Sequence, residues 1–413
     1  LAVIQDVVYN HLGPSGNYLP LYGPYLQQGS SNTWGASLNL DGEDSNEVRR
    51  YLIDNVLMWL RDYHVDGLRL DAVHALVDHN ALHILEEFSI EVAALSAFVG
   101  RPLTLIAESD LNDPRLITPR EAGGYGLAGQ WSDDFHHALT ANLSGETTGY
   151  YADFASLSAL AKVVERGFFH DGTQSTFRGR RHGRLLDVER TPTWRLVVCA
   201  DNHDQIGNRA AGDRLFSRVN ESQLALAALL TLLSPFTPMI FMGEEWSAST
   251  PWQFFTSHPE PELGRQVAEG RIAEFAQMKW DTSQVPNPQD PATFERSKLD
   301  WSELGREPHA GLLGLNRRLI ELRRTHPELT DPRFSSVSAR YDEAQQWFSL
   351  TRGDISVVVN FGGQPVDVDV QRPVETLLSV GETKESSGTT HLEPYSGVVV
   401  RTAVADRHRH PEL

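Results

Sequence analysis

Short apolar runs alternate with longer amphipathic segments over the first 327 residues of the chain. The runs are rich in Val, Ile and Leu and have the length of buried strands, whereas the longer segments have the apolar spacing of helices. This alternation is typical of parallel strands connected by helices. The predicted strands are 2–8, 65–70, 103–107, 126–131, 195–200 and 238–242, and the predicted helices are 45–63, 74–98, 134–143, 221–234 and 311–324.

Six strand–helix units of this kind predict an α/β fold of the (β/α)8 TIM-barrel class. Eight strands close such a barrel, so two strands are expected upstream of Leu1. The first residues, Leu-Ala-Val-Ile, already have the composition of a buried strand, with no start Met and no basic leader before them. We therefore expect the printed chain to begin inside the barrel.

The pattern changes beyond Pro327, where short alternating runs replace the helical segments. The runs 346–351, 355–361, 366–370 and 398–401 are separated by Gly and Pro turns, which predicts an antiparallel β-sandwich. We predict two domains, a catalytic barrel over 1–327 and a C-terminal β domain over 328–413, with a linker at 327–332.

Two long segments have neither a strand nor a helix period. Residues 12–42 and 246–301 contain many Gly, Pro and aromatic residues. Loops of this length in a compact domain are commonly functional, and the aromatic rings suit contacts with a ligand. We expect both segments to border the functional site.

Composition and charge narrow the class of ligand. The 413 residues include 36 basic and 55 acidic side chains, a net charge of −19, which argues against nucleic acid and anionic membranes as partners. A neutral substrate is expected. Cys199 is the single cysteine, so no disulfide within the chain and no cysteine zinc site can form, and a cytoplasmic location is expected. Runs of 18 or more apolar residues are absent, which argues against a membrane span. The oligomeric state does not follow from the sequence.

Polar side chains follow four of the predicted strands. The four groups are Asp6 with Asn10 and His11, Arg69 with Asp71 and His74, Glu108 with Asp110, and Asn202 with His203 and Asp204. A lone Asp at such a position is more often a helix cap or turn former. Four groups in order favour a site, because the carboxyl ends of all barrel strands open on one face.

Paired carboxyl groups on neighbouring strands suit glycosidic bond cleavage. One carboxylic acid must protonate the leaving oxygen, and one carboxylate must meet the developing oxocarbenium ion. Asp71 and Glu108 are 108 − 71 = 37 residues apart, the length of one βα unit. Neighbouring carboxylates would raise the pKa of Glu108, and Arg69, on the same side of its strand as Asp71, would keep Asp71 ionised.

The histidines allow three interpretations. His11 and His203 could donate hydrogen bonds to sugar hydroxyls, ligate a metal together with nearby carboxylates, or be satisfied core residues. The adjacent His136 and His137 diverge on a helix and make no His-x-His pair. We favour the sugar contacts and predict neither a metal nor a cofactor.

The four strand ends resemble the ordered signature regions of the α-amylase family of glycoside hydrolases. The matching segments are Asp-Val-Val-Tyr-Asn-His from Asp6, Gly-Leu-Arg-Leu-Asp-Ala-Val-His from Gly67, Leu-Ile-Ala-Glu-Ser-Asp from Leu105, and Asn-His-Asp from Asn202. The resemblance implies a retaining mechanism, with Asp71 as nucleophile, Glu108 as acid/base and Asp204 as the carboxylate that assists both. It also places the first segment on barrel strand 3. Substrate-binding roles are expected for Asp6, Tyr9, His11, Arg69, His74, Asp110 and His203.

Other segments resemble a narrower group, the maltooligosyltrehalose trehalohydrolases. They begin at Asn10, Asn202, Phe241 and Trp252. The resemblance implies cleavage of the α-1,4 bond next to the terminal trehalosyl unit, with maltooligosyltrehalose or a related α-glucan as substrate and trehalose as product. Glu244 and Trp246 are candidate sugar contacts, although Glu244 could equally cap a helix and Trp246 could equally pack in a core. Calcium is not expected, because no acidic cage follows Asn10.

Two alternatives remain open on the sequence. A glycogen-branching or α-1,6-debranching enzyme would share the same three carboxylates, since loops determine the linkage. A non-catalytic glycan-binding homologue would share the barrel, but it would have no reason to keep Asp71, Glu108 and Asp204 together.

Overall fold

The computed structural model describes residues 1–32, 35–277, 282–370, 373–386 and 388–403. The strands before residue 327 are β1 (Ile4–Val7), β2 (Leu26–Asn32), β3 (Gly35–Leu38), β4 (Gly67–Leu70), β5 (Thr104–Ala107), β6 (Gly129–Trp131), β7 (Thr173–Ser175), β8 (Arg180–His182), β9 (Leu196–Val198) and β10 (Thr237–Pro238). The helices are α1 (Ser45–Arg61), α2 (Ile84–Val99), α3 (Asp133–Ser144), α4 (Leu157–Arg166), α5 (His203–Gly207), α6 (Glu221–Leu232), α7 (Pro261–Gln277), α8 (Pro291–Arg296) and α9 (His309–Thr325).

A parallel sheet positions the strand ends that carry polar side chains. Its order is β1-β4-β5-β6-β9-β10, and every neighbouring pair is parallel. These are the six consecutive strands predicted for a TIM barrel, and closure of the sheet is not seen in the residues described. Helices separate most successive strands of this sheet, as the alternating pattern predicts.

The C-terminal region is an antiparallel β-sandwich, as predicted. Its strands are β11 (Val337–Asp342), β12 (Trp347–Arg352), β13 (Ile355–Asn360), β14 (Val366–Asp369), β15 (Pro373–Val380), β16 (Thr383–Ser386), β17 (Thr389–Leu392) and β18 (Gly397–Thr402). One sheet has the order β11-β12-β13-β18-β15 and the other β14-β17-β16. A valine-rich cluster that includes Val358, Val368 and Val398 lies between them. The side chains on the opposite face of β13 and β18 pack in the main hydrophobic core of the molecule.

Several local predictions were wrong in extent. The helix predicted from His74 begins at Ile84, because Asp78 accepts the backbone N–H of Ile84 and holds the preceding residues in a turn. The strand predicted at 238–242 is only Thr237–Pro238. The segments predicted as loops contain elements: 12–42 holds the hairpin β2–β3, and 246–301 holds α7 and α8. The helix α4 and the hairpin β7–β8 were not predicted. In the part of the chain described here, every helix is too short or too polar to cross a membrane.

A buried arginine joins the sandwich to the rest of the molecule. Arg352 of β12 is fully buried, and its guanidinium donates to the carbonyl oxygens of Ser234 (2.9 Å), Asp331 (3.0 Å) and Leu329. Burial and the positive charge of nearby Arg323 lower the pKa of Arg352 to about 9, although the charge of Asp331 opposes the shift. In the residues described, the hydrogen bonds of the guanidinium go to backbone carbonyl groups.

We expect Arg352→Met to destabilise the fold. The change leaves buried carbonyls without a donor, and the lost charge-assisted hydrogen bonds should lower the free energy of unfolding by about 3 kcal/mol. Denaturant unfolding of the purified protein measures this. Arg340→Met, at an exposed arginine of the neighbouring strand, is the matched control and should change stability by less than about 0.5 kcal/mol. Equal unfolding free energies for both variants would contradict the role given to Arg352.

Candidate active site

Asp71 and Glu108 stand side by side at the ends of β4 and β5. The strands pair in register, with Gly67 opposite Thr104 and Leu70 opposite Ala107. The ladder continues by one residue, because Glu108 donates its N–H to the Leu70 carbonyl at 2.9 Å. Neighbouring strands lie about 4.7–4.9 Å apart, so the two side chains start from backbones at about that spacing.

Arg69 lies among the carboxylates of this face. Its side chain is 5% exposed; Nη1 is 2.8 Å from Asp6 Oδ1 and 2.7 Å from Asp71 Oδ1, and Nη2 is 2.9 Å from Glu108 Oε2. Asp204 Oδ2 lies further away, at 3.9 Å. The guanidinium also lies over the ring of Trp131, 4.2 Å from its centroid. One cation therefore draws together four acidic side chains that would otherwise repel one another.

Among the four acidic side chains around Arg69, Glu108 has the most strongly shifted pKa. Its pKa is raised to about 8: burial has the largest effect, Arg69 and the Ala72 N–H oppose it, and the charges of Asp204 and Asp71 add to it. The Ala72 N–H donates to Oε2 at 2.7 Å. Ala72 adopts φ 39° and ψ 52°, a left-handed conformation that is costly for alanine. This strained residue immediately follows Asp71 and directs its N–H at Glu108.

Both carboxylate oxygens of Asp71 have hydrogen-bond donors. Arg69 contacts Oδ1, and the Asn10 side-chain amide donates at 2.9 Å to Oδ2 and at 2.9 Å to the Asp71 carbonyl. His11 neighbours this pair: its Nδ1 is hydrogen-bonded to Asn10 Oδ1, and burial lowers the pKa of the His11 ring although the Asp71 charge opposes this.

Asp204 reaches the same site from the short helix α5. Asn202 caps this helix by accepting the Gln205 N–H at 2.7 Å, which fixes the turn that carries Asp204. His203 Nε2 lies 3.2 Å from Asp204 Oδ2. Burial raises the pKa of Asp204; His203 and Arg69 oppose the shift, while Asp71 and Asp6 add to it.

Asp110 is tied to a hairpin that is distant in sequence. Arg178 donates to Asp110 Oδ2 at 2.7 Å, and His182 Nε2 lies 2.7 Å from the Asp110 carbonyl oxygen. His74 Nε2 is 3.9 Å from Asp110 Oδ1. Burial alone would raise the pKa of Asp110, but the electrostatic effects of Arg178 and His74 lower it overall. The predicted residues His74 and Asp110 thus lie together, with partners that the sequence did not indicate.

Two of the predicted sugar contacts lie in the interior instead. Trp246 is 1% exposed, and its indole N–H donates to Glu303 at 3.3 Å. Tyr9 is 8% exposed, and its hydroxyl donates to Asn55 at 2.8 Å. Both rings are packed against neighbouring side chains, so neither offers a face to a sugar. The predicted sugar contacts of Trp246 and Tyr9 are therefore corrected, because both side chains pack in the core.

Glu244 binds a backbone turn rather than capping a helix, because the short helix Glu244–Trp246 has no side-chain cap. Its Oε2 accepts the Phe241 N–H at 2.9 Å, within the turn after β10. Burial raises the pKa of Glu244 well above its ordinary value, and Asp201 nearby raises it further. It lines a small cavity of about 30 Å³ with Asp201 and Arg214, separate from the carboxylates around Arg69.

Trp131 and Asp133 at the end of β6 belong to this face and were missed. Trp131 supports Arg69, and its ring also meets His203 edge-on at 5.9 Å. Asp133 begins α3 directly after the strand. The sequence could have indicated both residues, because Trp-Ser-Asp-Asp stands at the end of a predicted strand, as the other four polar groups do. Among the side chains that the structure describes, no group of three or more His, Cys, Asp or Glu is arranged to hold a metal ion.

Comparison with known proteins agrees with this arrangement. A family model described as a domain of unknown function, DUF3459, matches residues 332–399, within the C-terminal sandwich. A solved structure described as a candidate α-amylase from Salmonella typhimurium superposes with a TM-score of 0.84 at 34% identity, over 97% of this chain and 68% of that one. The parallel sheet and the sandwich are therefore those of an α-amylase-type fold.

Two curated relatives match almost the whole chain. A malto-oligosyltrehalose trehalohydrolase from Rhizobium sp. (strain M-11) is 61% identical over 403 residues, which cover 97% of this chain and 67% of the relative. A malto-oligosyltrehalose trehalohydrolase from Mycobacterium tuberculosis is 51% identical over 403 residues, or 98% of this chain and 69% of the relative. Such relatives do not favour the branching or debranching alternative. The chain belongs to the malto-oligosyltrehalose trehalohydrolase family of α-amylase-type glycoside hydrolases.

Proposed function

We propose that this protein cleaves the α-1,4-glucosidic bond next to the terminal trehalosyl unit of malto-oligosyltrehalose and releases trehalose, with retention of configuration. The observation that carries the retaining mechanism is the register of β4 and β5, which sets Asp71 beside Glu108 with Arg69 contacting both. Retaining glycosidases have carboxyl groups about 5–5.5 Å apart, whereas inverting enzymes need about 6.5–9.5 Å. The strand spacing supports the first class. The names of the relatives support the choice of bond.

Each carboxyl group has one task in this mechanism. Asp71 attacks the anomeric carbon while Glu108 gives its proton to the glycosidic oxygen, so that trehalose leaves as a neutral alcohol. The maltooligosyl group is then bound covalently to Asp71. Glu108, now ionised, takes a proton from water, and the water oxygen displaces Asp71 to give the α-configured oligosaccharide. Asp204 binds ring hydroxyls and assists distortion of the sugar.

The remaining polar side chains of this face bind the substrate in our proposal. Asp6, His11 and His203 contact hydroxyls of the sugar that is attacked, and Arg69 orients Asp71 through its contact with Oδ1. His74 and Asp110, which lie 3.9 Å apart, contact the leaving side of the substrate. Sugar hydroxyls both donate and accept, so carboxylates and imidazoles are suitable partners.

The pH dependence of kcat/KM follows from Glu108. The acid is active only when protonated, so activity should fall as pH rises through its pKa of about 8. At pH 7 most of the free enzyme should carry the proton. We expect kcat/KM to decline about tenfold per pH unit above the midpoint. A plot of log(kcat/KM) against pH that stays level to pH 10 would contradict the assignment of the proton donor to Glu108.

Product analysis tests the proposed bond directly. Incubation of the protein with maltotriosyltrehalose should yield trehalose and maltotriose in equal amounts, resolved by anion-exchange chromatography. Branched products would support a transfer reaction, and glucose alone would support an exo-glucosidase. Either outcome would overturn the proposal.

We also propose which part of the chain carries out the reaction and where in the cell the reaction takes place. Residues 1–327 form the catalytic domain, and 328–413 form the C-terminal β domain. The single Cys199 is buried and has no cysteine partner in the chain, as is common in a reducing compartment. We infer that the reaction supplies trehalose in the cytoplasm. Cell fractionation followed by assay of the trehalose-releasing activity tests this location.

A further inference from the structure

A series of ion pairs connects the two ends of the turn that carries Asp204. The turn runs from Asp201 to Arg209, with the short helix α5 in its middle. Asp201 Oδ1 lies 3.7 Å from Arg218 Nη2, and Arg218 Nη1 lies 3.2 Å from Glu146 Oε2. The same Glu146 oxygen lies 3.1 Å from Arg209 Nη1. Both ends of the turn are therefore tied to one carboxylate, which comes from a different part of the chain.

Glu146 reaches this turn from the end of α3. The helix ends at Ser144, and Gly145 follows with φ 72°, a left-handed conformation that favours glycine. The Ser144 hydroxyl accepts the Glu146 N–H at 3.2 Å. The last turn of the helix is itself bound to α6, because the Gln223 side chain donates to the Leu143 carbonyl. The position of the Glu146 carboxylate is thus set by the packing of two helices.

Asp213 places a second carboxylate between the same two arginines. Its Oδ2 lies 2.7 Å from Arg209 Nε and 3.7 Å from Arg218 Nε. The side chains of Arg209 and Arg218 are only 15% and 10% exposed, so water and salt screen these charges little. Burial alone would lower the pKa of Arg209, but the charges of Asp213 and Glu146 raise it overall. Arg209 therefore remains a cation that binds both carboxylates.

The backbone transmits the position of these two ends to Asp204. Asn202, which follows Asp201, caps α5 with its side chain. Asn208, which precedes Arg209, donates its N–H to the Asp204 carbonyl at 2.9 Å. The helix has only five residues, and a helix of that length is not stable by itself. The position of the Asp204 carboxylate therefore depends on the contacts made by the ends of the turn.

We propose that Glu146 is a positioning residue that fixes the turn presenting Asp204 to the sugar. It does so by binding Arg209 and Arg218 together. The inference rests on the proposed function, in which Asp204 assists distortion of the sugar ring. Asp204 and Asn208 line a cavity of about 220 Å³ on this face, whereas Glu146 does not line it. Glu146 thus acts through the turn and does not touch the substrate.

A double-mutant cycle of Glu146→Gln with Asp204→Asn tests this role. Glu146→Gln alone should lower kcat on maltotriosyltrehalose about twentyfold, because a small displacement of a group that acts in the transition state is costly. KM should change less than about threefold. In the Asp204→Asn protein, Glu146→Gln should change kcat by less than about twofold, because the carboxylate to be positioned is absent.

Two results of this cycle would overturn the inference. One is a kcat of Glu146→Gln equal to that of the parent protein. The other is an equal loss of kcat with Asp204 and with Asn at this position, which is the result expected if the substitution only loosens the fold. Glu328→Gln is the matched control: this carboxylate is 26% exposed against 17% for Glu146, and it pairs with Arg401 of β18 at 3.5 Å. Its kcat should match that of the parent.

Arg209→Lys runs the same cycle from the other partner, and it decides the question if Glu146→Gln does not fold. Lysine keeps the charge, but its single nitrogen cannot replace the two guanidinium nitrogens that contact Glu146 and Asp213. We expect kcat to fall about fivefold when Asp204 is present and to stay unchanged in Asp204→Asn. Equal losses in both backgrounds would overturn the inference. Trehalose release by the parent protein reports on the proposed function separately, so an additive cycle in an active parent removes only the role of Glu146.

Discussion

Asp71→Asn should reduce kcat for trehalose release by about four orders of magnitude, a loss of roughly 5.5 kcal/mol of transition-state stabilisation. The amide has nearly the shape of the carboxylate but cannot form the covalent intermediate. The hydrogen bond from Asn10 to the residue 71 carbonyl does not depend on this side chain, so the fold should persist. Steady-state assays on maltotriosyltrehalose measure kcat, and circular dichroism verifies folding.

Asp62→Asn serves as the matched control for Asp71→Asn. It makes the same chemical change at an exposed position where Asp62 pairs only with Arg61 among the residues described. Its kcat should match that of the parent. A folded Asp71→Asn protein with kcat within about tenfold of the parent would exclude Asp71 as the nucleophile.

Glu108→Ala should have the second large effect, and the effect should depend on the leaving group. A sugar leaving group needs a proton, so kcat/KM on maltotriosyltrehalose should fall about 10³-fold or more. A 4-nitrophenyl α-maltoside has a leaving group that needs little protonation, and its first step should be much less affected. The comparison of the two substrates isolates proton donation from other consequences of the substitution.

Azide tests the same assignment by its product. In the Glu108→Ala protein, azide can attack the sugar bound to Asp71 without help from a general base, so turnover of the nitrophenyl substrate should rise with azide concentration. Two successive inversions should give an α-glycosyl azide. A β-glycosyl azide, or equal losses on both substrates with no response to azide, would contradict the role of Glu108.

The central site could be predicted from the sequence because parallel strands bring their carboxyl ends to one edge. Asp71 and Glu108 each lie one residue beyond a strand, and the in-register pairing of β4 with β5 determines their neighbourhood. Arg69 was assigned to the face of Asp71 by strand alternation alone. The sequence pattern and the strand order suffice to predict these three residues, since each inference involves only adjacent strands.

The hairpin β7–β8 could not be predicted in this way. Each strand has only three residues, mostly polar, and offers no apolar period to detect. Its anchor is the ion pair of Arg178 with Asp110, 68 positions apart in sequence. Sequence pattern carries no information about such a distant contact.

Aromatic residues in irregular segments were another source of error. The sequence left Trp246 open between a sugar contact and core packing, and the structure buries it against residues that follow much later, such as Glu303, 57 positions away. A large apolar side chain suits either a binding surface or a core. Only the fold around Trp246 distinguishes the two.

Time-resolved ¹H NMR of maltotriosyltrehalose digestion tests the central claim most directly. Retaining cleavage by Asp71 and Glu108 predicts that trehalose signals grow in step with the anomeric signal of α-maltotriose, and that β-maltotriose appears later through mutarotation. The first spectra thus report both the bond cleaved and the stereochemistry. Early accumulation of β-maltotriose, or the appearance of glucose without trehalose, would contradict the account.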